Sequence, residues 1–568
     1  MFRLLLLSLL LVPVALFRAP VPRPAEAADI VLLNGRIWTA DPSNRFAEAV
    51  AIKGNRILAV GTTSAIRAHV AGGTRVMDLQ GKLVLPGFND AHIHFLTGSL
   101  GLSNMNLFAC KNLKEMAVVI RDYAAQHPGT GWLTGSGWQY TSFPGGMPHK
   151  AFLDSLVPDR PVYLRAYDGH SGWANSKALA LAGINRETVF DGFGAIIRDS
   201  NGEATGALTE RAQSLVSRLI PPPTEQEQLN ALRLGMRYAA SLGITSVQNA
   251  SGSPAEFSLY QQLLQSGELT LRSTIAFSVG KQTNKEDIRR FIEARRSANQ
   301  PQWLKAHAIK FMLDGVIESH TAALLQPYSD MPSSDPHPHG QLALTPEQYR
   351  PLVERLDYES FQLYTHAIGD AAVREALDAY ERSAAANGQR DRRHRVEHIE
   401  IFHSQDLPRF AALGVIPSMQ PIHADPGTVD VWSRAVGENR LPFAFAWSSF
   451  LQTGARLAFG SDWPACIDPD PLHGIHVAVN RRTLDGIPAG GWIPQQRISL
   501  EDALYAYTRG AAYASFDEGQ KGMLAPGYLA DLVVLSSNLF EIAPMGIGST
   551  RVLLTLVDGK VVYERESS

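Results

Sequence analysis

The alternation of apolar and polar positions differs between the ends of the chain and its middle. Residues 29–85 and 519–568 carry short apolar runs separated by turn-forming pairs such as Asp558-Gly559. This pattern is typical of β-hairpins. Neither segment is long enough to build a stable core alone. We therefore predict one β-sandwich domain that is formed jointly by residues 28–86 and 519–568.

In the middle of the chain, apolar strands alternate with amphipathic helices. With the strand that leads into His92, they make eight β units, each followed by a helix. This order predicts an α/β fold, a (β/α)8 TIM barrel over residues 87–518, with its active site at the carboxyl ends of the strands. The other predicted strands span 244–249, 271–279, 306–313, 361–367, 395–401, 415–422 and 457–461, and the clearest helices span 225–241, 370–387 and 405–413.

The interval between the first predicted barrel strand and the next barrel helix is too long for a single barrel unit. No convincing barrel helix follows the first strand until about residue 223, whereas a barrel unit takes roughly 30 residues. We interpret residues 100–222 as an insertion over the barrel mouth that shapes a pocket. A packing or oligomerisation appendage is the alternative.

The first 27 residues are typical of an export signal. Arg3 gives a positive start, an apolar run follows to Phe17, and Ala25-Glu26-Ala27 is a small-x-small cleavage site. We expect an exported protein, periplasmic or secreted, without stable membrane insertion after cleavage. A retained membrane anchor is the alternative.

Composition narrows the classes of partner. The net charge is −3, and no basic block suggests a nucleic-acid partner. Hydrophobic residues make up 45% of the chain, as in a globular protein with a large core. The expected partner is a small-molecule substrate, and association into a homo-oligomer is left open. With only two cysteines, a catalytic metal would depend on histidine and carboxylate ligands.

Five residues at predicted strand ends could meet at one point. His92 and His94 share a strand face, because residues i and i+2 point the same way. His366 and His398 are one barrel unit apart, and Asp462 follows two units later. Imidazole and carboxylate are common metal ligands. The spacing therefore predicts a metal site at the barrel mouth.

Several longer motifs have a recognisable pattern. They are Pro-Gly-Phe-Asn-Asp-Ala-His-Ile-His at 86–94, Asp-Gly-His-Ser at 168–171, Asn-Ser-Lys-Ala-Leu at 175–179, Asp-Gly-Val-Ile-Glu-Ser-His-Thr-Ala-Ala-Leu at 314–324, Thr-His-Ala-Ile-Gly-Asp at 365–370, Val-Glu-His at 396–398, Gly-Ser-Asp-Trp-Pro at 460–464 and Gly-Met-Leu-Ala-Pro-Gly-Tyr-Leu-Ala-Asp-Leu-Val at 522–533. Together they resemble the metal-dependent amidohydrolase superfamily. More narrowly, the chain resembles its amidohydrolase-3 branch, the YtcJ-like and N-substituted formamide deformylase-like proteins, over essentially the whole mature chain.

The resemblance implies roles for particular residues. His92 and His94 would bind a divalent metal, with zinc expected, and His366 and His398 would complete the shell or hold a second ion. Asp462 matches the metal-associated general base, and we expect an imidazole near the metal, with His398 as the candidate, to help stabilise the oxyanion.

Lys310 occupies the place where many relatives carry a carboxylated lysine that bridges two metals. A buried lysine can lose its charge and take up carbon dioxide. The alternative is an ordinary ion pair with Asp314 or Asp462, and the number of metal ions depends on which is correct.

We expect further pocket residues around this site. For each of them, structural packing or hydrogen bonding is the alternative to contact with substrate. The candidates are Trp138, His170, His320, His423 and Trp463.

The implied reaction is hydrolysis of a non-peptide C–N bond in a small amide-like molecule. No Gly-x-Ser-x-Gly elbow lies between a strand and a helix, so direct attack by water is favoured over an acyl-enzyme. Ester or lactone hydrolysis and deamination on the same scaffold are alternatives. A non-catalytic binding or regulatory protein is a third.

Overall fold

Eight short strands form one parallel sheet at the centre of the computed structural model, which describes residues 25–332 and 334–566. Each barrel strand pairs with the next along the chain, and the Asp462 N–H donates to the His92 carbonyl (2.7 Å) where the eighth strand returns to the first. The predicted TIM barrel is confirmed. Barrel strands 1 to 8 are Phe88–Ile93, Ile244–Gly252, Arg272–Val279, Leu304–Met312, Gln362–Ala367, Arg395–His398, Ile416–Met419 and Ala458–Phe459.

Helices cover the outside of this sheet through their apolar faces. Thr224 and Glu227 form a capping box at the start of Glu225–Ser241. The α-helices of the barrel region are Phe95–Gly101, Glu225–Ser241, Pro254–Gln265, Lys285–Ser297, Pro346–Tyr358, Asp370–Asn387, Leu407–Leu413, Asp430–Val436, Trp447–Gln452, Pro471–Asn480, Leu500–Tyr505 and Ala511–Ala514, with a π turn at Ala506–Gly510 and 3-10 turns at Ser404–Asp406, Pro421–Ala424, Glu438–Phe443 and Pro494–Gln496.

The segment after the first barrel strand folds around a core of its own. Its six-stranded sheet buries Trp138 and Trp173 among other apolar side chains. In spatial order the strands are Ile196–Arg198, Ala204–Thr209, Ser171–Ala174, Val162–Ala166, Leu133–Trp138 and Met105–Asn106; the helices are Leu113–Gln126, Lys150–Leu156, Ser176–Leu181 and Ser214–Ser217, and the 3-10 turns are Tyr140–Ser142, Pro144–Gly146 and Glu210–Gln213.

Strands from both ends of the described chain share one sheet. Leu532–Leu535 lies antiparallel to Leu83–Pro86, with Val533 opposite Leu85. Its apolar side chains pack against a second sheet to form the sandwich. The first sheet has the order Lys560–Glu564, Val552–Val557, Leu532–Leu535, Leu83–Pro86, Arg36–Trp38 and Phe46–Ala47, the second Arg56–Gly61, Ala49–Lys53, Ile30–Leu33 and Arg75–Asp78, and the short helices are Thr63–Arg67 and Pro544–Ser549.

The export signal falls mostly on residues 1–24, which lie outside the described residues. Among the residues that are described, no helix combines the length and the apolar character needed to cross a membrane.

A buried arginine joins the barrel to the sandwich. Arg272, at the start of barrel strand 3, donates Nε to Asp531 Oδ2 (2.6 Å) and Nη2 to Asp531 Oδ1 and Asp558 Oδ1 (both 2.9 Å). The Arg272 and Asp531 side chains are only 2% and 4% exposed. Both carboxylates therefore depend on this guanidinium for their charge balance.

We expect Arg272→Ala to lower the free energy of unfolding by about 3–5 kcal/mol, because it leaves the buried Asp531 carboxylate without its charge partner. Urea unfolding measures this loss. The matched control is Arg186→Ala, which breaks an exposed pair with Glu203 and should cost about 1 kcal/mol or less. Equal losses in the two variants would contradict the prediction.

Candidate metal centre

Five side chains from four barrel strands and their loops meet at the barrel mouth. The ring centroids of His92 and His398 are 4.7 Å apart, and those of His366 and His398 are 4.5 Å apart. His94 follows strand 1 as the N-cap of Phe95–Gly101 and reaches the same point from the side. The structure thus brings together the histidines and the aspartate that their spacing placed at equivalent positions.

The Asp462 carboxylate is the centre of this group. Its Oδ1 lies 2.9 Å from His94 Nε2 and 3.2 Å from His92 Nε2, and its Oδ2 lies 3.7 Å from His398 Nδ1. Burial alone would raise the pKa of Asp462, but His92 and the other imidazoles outweigh it and hold that pKa well below its ordinary value. Asp462 is therefore a carboxylate, the form that can bind a metal or accept a proton.

The backbone is strained where the two key residues sit. Asp462 has φ 62° and His398 has φ 74°, a left-handed conformation that costs a residue other than glycine about 1–3 kcal/mol. For His398 this turn follows Glu397, whose side chain faces the barrel interior. The strain therefore coincides with the residues that aim ligand atoms into the mouth.

The donor atoms fit a metal ion. One ligand atom each from His92, His398 and Asp462 lies within 4.8 Å of the other two. Within the described residues, neither ring nitrogen of the buried His398 has a hydrogen-bond partner, a costly arrangement that a ligand would relieve. Burial lowers the pKa of His94, His366 and His398, which keeps these rings in the neutral form that metals bind.

Hydrogen bonds fix which nitrogen each ring presents. His92 Nδ1 donates to Glu397 Oε2 (2.5 Å), and His366 Nε2 donates to the Gly315 carbonyl (3.1 Å). The lone pair that a metal could use is then on Nδ1 of His366 and on Nε2 of His92, which also lies 3.3 Å from Lys310 Nζ. Such outer partners orient metal-binding imidazoles in many proteins.

Lys310 lies beside these rings. Its Nζ is 3.3 Å from His92 Nε2, and the residue is 2% exposed. Burial lowers its pKa to about 8, although Glu397 and Asp462 oppose the shift. Among the described residues, Lys310 makes no ion pair within 4 Å to Asp314. The Asp314 carboxylate instead accepts hydrogen bonds from three backbone N–H groups. Carboxylation of Lys310 stays a prediction.

Sequence reasoning missed the charged pair beneath the site. Arg395 donates Nε to Glu397 Oε1 (2.7 Å) and Nη2 to Glu397 Oε2 (2.9 Å), and both side chains are fully buried. Arg395 also stacks on the Tyr364 ring (3.7 Å). The spacing of Arg395 and Glu397 contains a signal for this pair, since residues i and i+2 of a barrel strand share one face.

Two predicted pocket residues lie at the mouth. The His170 ring comes from the insertion and is 5.4 Å from the His366 ring. Burial lowers the pKa of His170, but Glu210 and Asp168 outweigh it and raise it to about 9. His423 stacks parallel to His398 at 6.1 Å, with Nε2 3.8 Å from Asp462 Oδ2.

The other three predicted pocket residues have different surroundings. Trp138 is buried in the core of the insertion, where its Nε1 donates to the Leu164 carbonyl. His320 turns to Asp330 (2.9 Å) and packs on Tyr328. Trp463 packs against Gly98, at which a Cβ atom would lie 2.2 Å from the indole ring. These contacts favour the structural alternative for the three side chains, and substrate contact by any of them stays a prediction.

Comparison with known proteins identifies the family. The model of the Amidohydrolase family, Amidohydro_3, matches residues 75–563. The chain belongs to this family. Protein LONG AFTER FAR-RED 3 of Arabidopsis thaliana is 33% identical over 95% of this chain and 93% of its own. N-substituted formamide deformylase of Arthrobacter pascens is 28% identical over 96% of this chain and all of its own.

A solved structure agrees in fold. An uncharacterised metal-dependent hydrolase from Pyrococcus furiosus is 26% identical, with a TM-score of 0.68 over 91% of this chain and 99% of that one. The predicted amidohydrolase-3 branch is confirmed, and this amidohydrolase is a metal-dependent enzyme that hydrolyses C–N bonds other than peptide bonds. Its cofactor is a divalent metal.

Proposed function

We propose that this amidohydrolase cleaves the acyl C–N bond of a small amide by direct attack of water, with Asp462 as general base. The observation that carries the proposal is the Asp462 carboxylate itself. It lies within 3.2 Å of two imidazoles and beside His398, whose nitrogens have no hydrogen-bond partner among the described residues. A base and a set of free ligand atoms therefore share one point.

A divalent ion held by His92, His94, His366, His398 and Asp462 would supply Lewis acidity and lower the pKa of water from 15.7 to about 7. Zinc suits this set of imidazole and carboxylate donors without thiolate. One ion needs only part of the set, whereas a second ion would call for a further anionic ligand, which Lys310 could supply after carboxylation.

The residues of the chain then move the proton. Asp462 accepts it from the attacking water and returns it to the leaving nitrogen, because one group can act first as base and then as acid. His398 lies against the same carboxylate, where an imidazole can stabilise developing negative charge on the carbonyl oxygen.

Two features support a small substrate with an N-acyl group. The insertion has its own folded sheet and brings His170 beside His366 at the barrel mouth, and the relative from Arthrobacter pascens is named for deformylation of N-substituted formamides. We therefore place formamides and short N-acyl amines first among candidate substrates. We also propose export to the periplasm or medium, on the strength of the signal-like segment at residues 1–27.

A hydrolysis screen with defined metal loading tests this proposal. Metal-free protein, prepared by chelation, is compared with protein reloaded with zinc on formamide, N-acyl, carbamate, ester, lactone and amino-substituted heterocyclic substrates. We expect zinc-dependent release of carboxylate and amine from the amides, at least about a hundredfold above the metal-free protein.

Each alternative has its own result. Turnover of esters or lactones alone would support an esterase, and ammonia release from the heterocycles a deaminase. Zinc binding without turnover of any substrate would favour a binding protein. Amide hydrolysis that survives complete metal removal would contradict the mechanism.

A further inference from the structure

The insertion contributes a histidine to the metal centre, and a glutamate holds this histidine through both a side-chain contact and a backbone hydrogen bond. His170 Nδ1 lies 3.0 Å from both Oε1 and Oε2 of Glu210, and the Glu210 N–H donates to the His170 carbonyl (2.8 Å). The His170 N–H in turn donates to Asp168 Oδ1 (2.9 Å). The orientation of this imidazole is therefore fixed from both its ring and its backbone.

Glu210 is itself tied to the barrel. Thr321, in the loop after barrel strand 4, donates Oγ1 to Glu210 Oε1 (2.7 Å). Glu210 adopts φ 48°, a conformation that is unfavourable for a residue with a side chain. The fold thus accepts local strain at the position that presents this carboxylate.

Gly315 links this pair to the metal-binding residues. A Cβ atom at Gly315 would lie 2.1 Å from Thr321 Oγ1 and 2.5 Å from Glu210 Oε1, so only glycine leaves room for their contact. The carbonyl of the same Gly315 accepts the hydrogen bond from His366 Nε2. The two hydrogen-bond systems therefore meet at one residue.

The second ring nitrogen of His170, Nε2, is available to a ligand. Glu210 occupies Nδ1, and within the described part of the chain Nε2 forms no hydrogen bond. The side chain is 13% exposed, at a place where its ring lies beside His366. A ligand in the barrel mouth is the remaining partner for this nitrogen.

We propose that His170 Nε2 hydrogen-bonds the carbonyl oxygen of the substrate, and that Glu210 and Thr321 are positioning residues that hold the ring for this contact. The inference rests on the proposed amide hydrolysis and adds to it a substrate contact supplied by the insertion rather than by the barrel. Under this proposal, catalysis depends on the contacts that hold the insertion against the barrel.

A double-mutant cycle tests this coupling. We measure kcat, KM, metal content and melting temperature for His170→Ala, His170→Gln, Glu210→Gln and the Glu210→Gln/His170→Ala double variant on the best amide substrate. Loss of one donor to a developing oxyanion lowers kcat by about 10²–10³, so we expect this fall for His170→Ala with KM little changed.

The other variants separate positioning from folding. His170→Gln keeps an N–H donor and should recover part of kcat, and the double variant should be no worse than His170→Ala, because Glu210 acts through His170. Thr321→Ser should keep activity and Thr321→Val should lower kcat. The control Glu203→Gln removes an exposed glutamate of the same insertion and should change nothing.

Additive effects of Glu210→Gln and His170→Ala on kcat would overturn the positioning role, as would unchanged kcat in His170→Ala with full metal content. Asp462→Asn is assayed in parallel. If Asp462→Asn abolishes hydrolysis while the Glu210 and His170 effects are additive, the positioning role of Glu210 fails but the proposed amide hydrolysis stands. If Asp462→Asn leaves hydrolysis intact, the proposed function fails as well.

Discussion

Asp462→Asn is expected to lower kcat for amide hydrolysis by about 10³–10⁴ while the protein stays folded. Asparagine has the same shape but cannot accept the proton of water, and general acid–base catalysis contributes about 10²–10⁴. The rest of the loss comes from a weaker metal site, since a neutral oxygen replaces the carboxylate shared by His92 and His94. Steady-state kinetics with measured metal content separates these two causes.

The matched control makes the same substitution outside the mouth. Asp330→Asn affects an aspartate that contacts His320 at the surface, and we expect it to leave kcat within about twofold, as for a surface substitution away from the site. Assignment of Asp462 as the base would fail if Asp462→Asn, with normal metal content, kept more than a tenth of the activity.

The meeting of these five side chains could be predicted because barrel geometry turns sequence spacing into spatial position. His366, His398 and Asp462 are separated by whole barrel units, so their strands deliver them to the same rim. The strand face expected for both His92 and His94 holds only for His92. Only His92 lies within the strand, and His94 comes to Asp462 from the N-cap of the following helix.

Pocket walls could not be predicted in the same way. Trp138 lies in a glycine- and aromatic-rich segment whose pattern fits either a pocket wall or a folded core, and it belongs to a core. Trp463 follows the base directly, yet its ring fills the space left by Gly98. What each of these side chains packs against depends on partners elsewhere in the fold, which periodicity does not encode.

The contacts that hold the buried pair of Arg395 and Glu397 could not be predicted from the spacing of residues along the chain. Arg395 and Glu397 are inside the barrel, where apolar side chains usually pack, and Arg395 is further held by Gln248 Oε1 (2.5 Å) and Ser418 Oγ (2.9 Å) from two other strands. Each of these contacts joins distant parts of the chain. Only the folded sheet reveals that the pair supports His92.

Glu397→Gln is therefore expected to damage both stability and metal binding. The change leaves the fully buried Arg395 without its counter-charge, which should cost about 3–5 kcal/mol of unfolding free energy. It also weakens the hydrogen bond that orients His92, and loss of such a partner typically lowers metal affinity about 10–100-fold. Urea unfolding of the metal-free protein and zinc titration measure the two effects separately.

Two comparisons decide between these causes. Glu286→Gln breaks an exposed pair with Arg289 and should cost about 1 kcal/mol or less without changing zinc affinity. The double variant Arg395→Met/Glu397→Leu removes both charges, and apolar replacement of a buried pair often restores stability. If Glu397 orients His92, this variant regains stability but still binds zinc weakly, since no carboxylate holds His92 Nδ1. Recovery of wild-type zinc affinity in the double variant would instead mean that the pair serves stability alone.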